Sequence, residues 1–192
     1  MFEIDTVLVK ERAGLLKMSD TYDLIDPSTA TPIGICKEKV AWWVHLLRLS
    51  VKARNLPTRV VVSDVSEANP WLEIQRGFSF FGPRVRVVDG QGALLGTFKS
   101  KLFSWGINFR ILDANDREIA GIKGFAWNFE LTESSGKPMG TISKKWAGLG
   151  KELFTSADNY MVDVSIAAPE SKLVARKMVL AAALAIDICY NE

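Results

Sequence analysis

The chain is poor in the residues that most chemistry requires. Its 192 residues hold one histidine, His45, and two cysteines, Cys36 and Cys189. A lone histidine on an apolar stripe reads as structural, which leaves none for Ser-His-Asp or Cys-His catalysis and too few for most zinc sites. The cysteines are far apart, lack CxxC spacing and have no neighbouring histidine, so a redox or nucleophilic role is not expected; free, buried thiols in a reducing compartment are. No phosphate loop is present: Gly148 and Gly150 in WAGLGKELF match neither GxxxxGK[ST] nor GxGxxG and read as turn glycines.

Charge of one sign is also missing. The 24 Lys and Arg against 22 Asp and Glu leave a net charge of +2, which gives no reason to expect a nucleic acid partner. The N-terminal MFEIDTVLVKERAG has no apolar run of the signal-peptide kind, so a cytoplasmic protein is expected. The longest apolar stretch lies in LVARKMVLAAALAIDICY, Leu173 to Tyr190, and its charge-free part runs only from Met178 to Ile186. A membrane span needs about 20 apolar residues. This helix is therefore expected to be wrapped by protein on all faces, with Arg176 and Lys177 at the mouth of a hollow and Asp187 in need of a polar partner. At this length one domain is expected over 1–192.

What is abundant is strand signal. A hairpin pattern recurs in YDLIDPSTATPIGICK from Tyr22, VVDGQGALLGTFK from Val87, ILDANDREIAGIK from Ile111 and FELTESSGKPMGTISK from Phe129. Asp and Gly favour such turns, Asp by bonding the backbone two residues on and Gly by accepting positive φ. Asp23, Asp26, Asp89, Asp113 and Asp116 are read as turn carboxylates rather than an acid/base pair. Between turns the period is two: Ile107, Phe109 and Ile111 share a face, as do Phe125, Trp127, Phe129 and Leu131, and Tyr160, Val162, Val164 and Ile166. Strands of this kind cover their apolar face and edges by closing into a barrel, with the terminal helix inside.

Lys37 to Pro57, KEKVAWWVHLLRLSVKARNLP, breaks this rhythm and is read as a helical or irregular insertion with Val40, Trp43, Leu47 and Val51 on one stripe. Trp beside Lys and Arg is the composition of an interfacial helix; the alternative is a connector laid on the barrel wall. Arg84 and Arg86, Lys99 and Lys101, and Lys144 and Lys145 sit where strands could gather them into an outward anion-binding patch or spread them over a solvated face.

The phrases YDLIDPSTATPIGICKEK, RGFSFFGPRVRVVDGQGALLGTFKSK, ISKKWAGLGKELFTSADNYMVDV and LAAALAIDICYNE resemble the phospholipid scramblase and LURP-one-related group, whose fold is that of the tubby C-terminal domain. The likeness runs from about Tyr22 to the C-terminus. It implies a mainly β fold: a closed antiparallel barrel of about twelve strands around a hydrophobic C-terminal helix, here 173–190. Scramblases are associated with calcium-dependent lipid movement, tubby domains with phosphoinositide binding, and LURP-one-related proteins with plant defence. The stretch matching the scramblase calcium loop, Ser156 to Ala167, has Ser156 and Ala167 where the pattern has acids, leaving Asp158, Asn159 and Asp163; no calcium site is expected. The cysteine-rich, proline-rich N-terminal regions of animal scramblases are not matched either.

The expectation is thus a non-enzymatic module with no catalytic residue, metal or cofactor and no transmembrane span, binding anionic lipid headgroups or a membrane surface peripherally. Arg84, Arg86, Lys99, Lys101 and Lys123 are the expected anion-facing set, and Trp42 and Trp43 the expected membrane or partner contact. The alternative is a protein-interaction or regulatory module with no lipid role. Transbilayer lipid movement by this chain alone is not expected.

Overall fold

The computed structural model describes residues 3–12, 20–48, 50–52, 55–78, 82–100, 107–144 and 159–190. Among them the period-two segments form twelve strands: β1 Thr6–Glu11, β2 Thr21–Asp26, β3 Thr31–Lys39, β4 Thr58–Ser63, β5 Pro70–Arg76, β6 Arg84–Asp89, β7 Leu94–Ser100, β8 Ile107–Leu112, β9 Glu118–Phe125, β10 Asn128–Glu133, β11 Pro138–Ser143 and β12 Tyr160–Asp163. Each pairs antiparallel with its neighbours in the chain, and β1 also pairs with β12 through Val7 opposite Val162. The sheet closes on itself and has no free edge.

Alternation then decides what is inside. Val60 and Val62, Leu72 and Ile74, Val85 and Val87, and Phe109 and Ile111 all join one buried cluster, while the residues between them face outward. The filling is α2, Lys172–Tyr190, with every residue from Met178 to Cys189 buried. Four of those are alanines, Ala181, Ala182, Ala183 and Ala185, which keep the helix slender enough to be surrounded. It touches β11 and β12 on one side of the barrel and β5 and β7 on another. The wall also gives way: a Cβ on Gly140 would stand 2.9 Å from Val179 Cγ2 and 2.5 Å from the Asp163 carbonyl oxygen, so a larger residue there would displace strand or helix.

Polar residues of the helix find partners at both ends. Arg176 donates to the Glu3 carbonyl at 2.7 Å and to Asp5 at 2.9 Å, and Lys172 also binds Asp5. Within the barrel the Tyr22 hydroxyl donates to the buried Asp187 carboxylate. Burial, first, and the adjacent Asp187 charge hold the Tyr22 hydroxyl protonated far above the usual phenol range, so it remains a donor.

Antiparallel order gives the barrel two unlike ends. Short connections, 27–30, 64–69, 90–93, 113–117 and 134–137, all lie at one, with the link 164–171 into α2. We call this the turn end. The other, the loop end, carries the described residues 40–48, 50–52, 55–57, 77–78, 82–83 and 126–127 and the C-terminal end of α2.

Several sequence expectations need correction. Phe125 to Leu131 is not one strand: Ala126 and Trp127 adopt φ of 50° and 62° and form a two-residue turn between β9 and β10. That turn leaves Phe125 75% exposed while Phe129 and Leu131 are buried. Asp23 lies within β2, opposite Ile35, and its carboxylate accepts from Arg12 rather than from a turn. Ile166 is exposed because β12 ends at Asp163. The segment 37–57 divides: Lys37 to Lys39 complete β3, and the helix α1 covers only Trp42–Leu47.

Candidate functional site

The segment around α1 is anchored by polar groups beneath it and leaves its aromatic residues outside. Val44 is the buried residue of the helix, not the expected stripe through Trp43 and Leu47. Beneath it the Glu38 side chain, 1% exposed, accepts from Arg48 at 2.8 Å, from the Thr58 hydroxyl and from the Asp20 backbone N–H at 3.2 Å. Arg76, inward-facing at the end of β5, donates to the Leu56 carbonyl at 3.0 and 3.2 Å. These bonds hold both sides of the 40–57 connection to the barrel rim. Buried ionic groups fix geometry well when every partner is in place.

With the helix seated, Trp42 and Leu46 stand out, Trp43 and Leu47 are exposed at their edges, and Phe78 from the next loop-end connection is exposed beside them. The Trp43 and Phe78 rings stack with centroids 6.3 Å apart. Phe125 and Tyr190 are exposed at the same end. Lys39 and Lys52 flank α1 in the chain, are exposed and form no ion pair among the described residues.

From Lys39 a groove of about 710 Å³ runs over the outer wall of β4 to β6, lined by Arg59 and Arg86 with Glu67, Glu73 and Asp89. Arg59 pairs with Glu73, whereas Arg86, opposite Gln75 and Thr97, has no ion-pair partner among the described residues. Cations and acids therefore alternate in the groove. Its charge is balanced rather than strongly positive.

The other expected cations are spread along neighbouring strands. Arg84 is opposite Lys99, and Lys99 opposite Arg110, in one outward row. Arg84 and Lys99 both reach Asp116, at 3.4 and 3.0 Å. The Lys99 hydrogen bond and charge, then the Arg84 charge, hold the Asp116 carboxyl below its ordinary range. Lys123 is on β9, opposite Asn108 and Glu130, and lines a separate cavity of about 330 Å³ with Glu118 and Glu133. Arg84, Arg86 and Lys99 thus share one face, and Lys123 is two strands further on. Lys101 lies outside the described residues, as do Lys145, Ser156 and Asp158.

Sequence reading missed Lys39, Phe78 and Phe125 as neighbours of this surface. Lys39 was hidden in a segment read as helix and Phe125 in one read as strand, and no sequence pattern singled out Phe78. His45 is half-buried on α1. Cys36 is fully buried and burial pushes its thiol well above the usual range. Turn carboxylates carry backbone bonds: Asp89 accepts from the Gln91 and Ala93 N–H groups, both at 2.9 Å, and Asp113 from those of Asn115 and Arg117. Among the described residues no group of three or more His, Cys, Asp or Glu side chains could hold a metal ion, and no helix is long and apolar enough to cross a membrane.

Residues 20–192 match the model of the family described as Scramblase. Comparison with curated proteins and with solved structures returns no match to either.

Proposed function

We propose, from the premise that the chain belongs to the Scramblase family, that it is a non-enzymatic barrel that docks peripherally on anionic membrane surfaces through its loop end. One observation carries the reading: among the described residues, the exposed large aromatic side chains, Trp42, Trp43, Phe78, Phe125 and Tyr190, are all at that end. Amphipathic rings of this kind are favoured where one side of a group is apolar and the other wet. A short helix with its aromatic face outward is a wedge for the headgroup layer, and the Glu38 seat makes the wedge part of the barrel.

The cations supply attraction rather than a pocket. Lys39, Lys52 and Arg86 carry charges without ion-pair partners among the described residues, and each basic group near an anionic leaflet contributes about 1 kcal/mol. Arg84 and Lys99, partly offset by Asp116, and Lys123 add to the longer-range field; Lys101 belongs with them on sequence grounds. Binding is then salt-dependent, because exposed charges are screened beyond about 10 Å at 0.1 M salt.

The same geometry argues against lipid translocation by the chain alone. The apolar helix is consumed in filling its own barrel, and the Tyr22 to Asp187 bond ties it there. Flotation with vesicles containing acidic phospholipid, against purely zwitterionic vesicles at low salt, tests the reading. Recovery with acidic vesicles that falls as salt rises supports it. Equal absence from both, or capture of a stoichiometric protein partner by the Trp42 and Trp43 surface without lipid, overturns it.

A further inference from the structure

The loop end is not uniform around its circumference. In the closed order of twelve strands, β3 and β9 are six places apart and so stand on opposite sides of the barrel. On the β3 to β6 side, Trp42, Trp43 and Leu46 come from the connection after β3 and Phe78 from the connection after β5, and the Trp43 to Phe78 stack joins them into one apolar patch. On the outer wall behind it, Lys39, Arg59, Gln75 and Arg86 lie directly opposite one another from β3 to β6, in a single cross-strand row. Like charges placed opposite each other destabilise a sheet, and Glu73 answers Arg59 but not Lys39. The acids of this side keep their charges and can be accounted for. Glu73 offsets Arg59, Glu67 offsets Lys37 and Glu38 offsets Arg48, while Asp64 and Asp89 belong to turns at the opposite end of the barrel. Lys39, Lys52 and Arg86 are therefore the excess beside the patch. Across the barrel, Lys123 stands among three acids, opposite Glu130 and in one cavity with Glu118 and Glu133.

We propose, resting on the reading that the chain docks on anionic membranes, that it docks side-on. The bilayer meets the β3 to β6 side alone, with Trp42, Trp43, Leu46 and Phe78 in the headgroup layer and Lys39, Lys52 and Arg86 toward the lipid phosphates, while Phe125 and Lys123 stay in water. Charge and apolar surface select the same side. Cations beside exposed rings are the composition favoured at an anionic interface, and the carboxylates around Lys123 are repelled by that surface. Tyr190, the remaining exposed ring, is engaged on other strands, by the Ser100 hydroxyl at 3.2 Å and the Phe109 ring at 5.9 Å. Of the cations expected from the sequence, Arg86 alone then belongs to the contact, and the groove over β4 to β6 opens toward the lipid.

Phe78→Cys and Phe125→Cys, each at an exposed position and labelled with a polarity-sensitive fluorophore, read the orientation, since the native Cys36 and Cys189 thiols are buried. On vesicles containing acidic phospholipid at low salt, the label at position 78 should shift to the blue and be quenched by nitroxide-bearing lipid. The label at position 125 should keep its spectrum in water. Lys39→Glu combined with Arg86→Glu should reduce recovery of the full chain with these vesicles by at least about tenfold. Glu130→Lys, which reverses a charge across the barrel, should raise recovery by less than about twofold. Equal shifts at both labels, a shift at position 125 alone, a larger gain from Glu130→Lys, or a double variant that binds like the parental chain overturns side-on docking while membrane binding stands. Absence of the parental chain from acidic vesicles overturns both.

Discussion

The two ends of the barrel solve the same closure problem with different chemistry. At the turn end, connections are short and their carboxylates are spent on the backbone: Asp26, Asp64, Asp89 and Asp113 each accept N–H groups within their own turns. At the loop end, the carboxylate of Glu38 is spent across elements, joining β3 to Arg48 beyond α1 and to Thr58 on β4. Local bonds make a turn that needs nothing else. Bonds between elements make a platform, and the platform at the loop end presents aromatic rings. Exposed aliphatic groups at the turn end, such as Leu173 and Val174, surround a cleft instead. Rigidity at one end thus serves closure, and at the other it serves presentation.

The sharpest way to break this contrast is to remove the seat of the platform. Glu38→Ala leaves the Arg48 guanidinium, 23% exposed, and the buried Thr58 hydroxyl without their shared acceptor. Losing one partner of a buried pair costs about 3 kcal/mol, which denaturant unfolding will read as a lower midpoint. Vesicle recovery should fall with it, because α1 is no longer held. An unchanged midpoint would mean that α1 is seated by Val44 alone.

Next in size are the rings themselves. Trp42→Ala combined with Trp43→Ala should leave the unfolding midpoint within about 0.5 kcal/mol, since exposed positions rarely matter for stability. Recovery with acidic vesicles should fall at least about tenfold, each buried large apolar side chain being worth about 1.5 to 3 kcal/mol. Val65→Ala, an exposed apolar residue of the turn end, is the matched control and should change neither quantity. Equal losses from both ends would erase the comparison.

These ends were not equally legible in the sequence. Four of the turn-end hairpins could be read because Asp, Gly, Pro and Ser mark their turns, and the all-round apolar run from Met178 made the central helix evident. The β4 to β5 hairpin went unread because its link from Asp64 to Asn69 has no glycine, and Glu67 takes the left-handed φ of 62° instead. Trp127, at 62°, hides the β9 to β10 turn in the same way. The platform was less legible for a further reason: Glu38, Arg48 and Thr58 are brought together only by tertiary closure, and no periodicity in one segment can announce a bond between three. Arg84 and Lys99 were readable as outward cations, but their shared Asp116 was not.

A smaller effect tests the self-sufficiency of the turns. Gly92 has φ of +87° in the turn after β6, with space around it. Gly92→Ala should cost about 1 kcal/mol through backbone strain alone, visible in thermal unfolding, while vesicle recovery stays at the parental level. A loss of binding would show that the turn end communicates with the platform.

The smallest predicted effect concerns a turn-end carboxylate that, like Asp116, is spent across elements. Asp5 binds Lys172 and Arg176, and the hydrogen bond from Lys172 leads the causes that hold its carboxyl below the ordinary value of 3.8, against a partial opposing effect of burial. A depressed carboxyl contributes stability that is fully present above the unfolded-state value and is lost as pH falls through the folded-state value. The clamp should therefore be intact at neutral pH and lost only as pH falls below 3.8 through the lower folded-state value. Its side chain is 33% exposed, so solvent limits the contribution to under about 1 kcal/mol. Asp5→Asn should accordingly lower stability slightly at pH 7, and the difference from the parental chain should shrink as acid protonates Asp5. Hydrogen exchange locates the effect: amides of the first turns of α2, residues 175–177, should exchange faster in Asp5→Asn at neutral pH, while those from Ala183 onward, held by the barrel wall and the Tyr22 to Asp187 bond, keep their protection. Faster exchange along the whole helix would mean that Asp5 secures the filling rather than its entrance, and the two ends would then be coupled through the core.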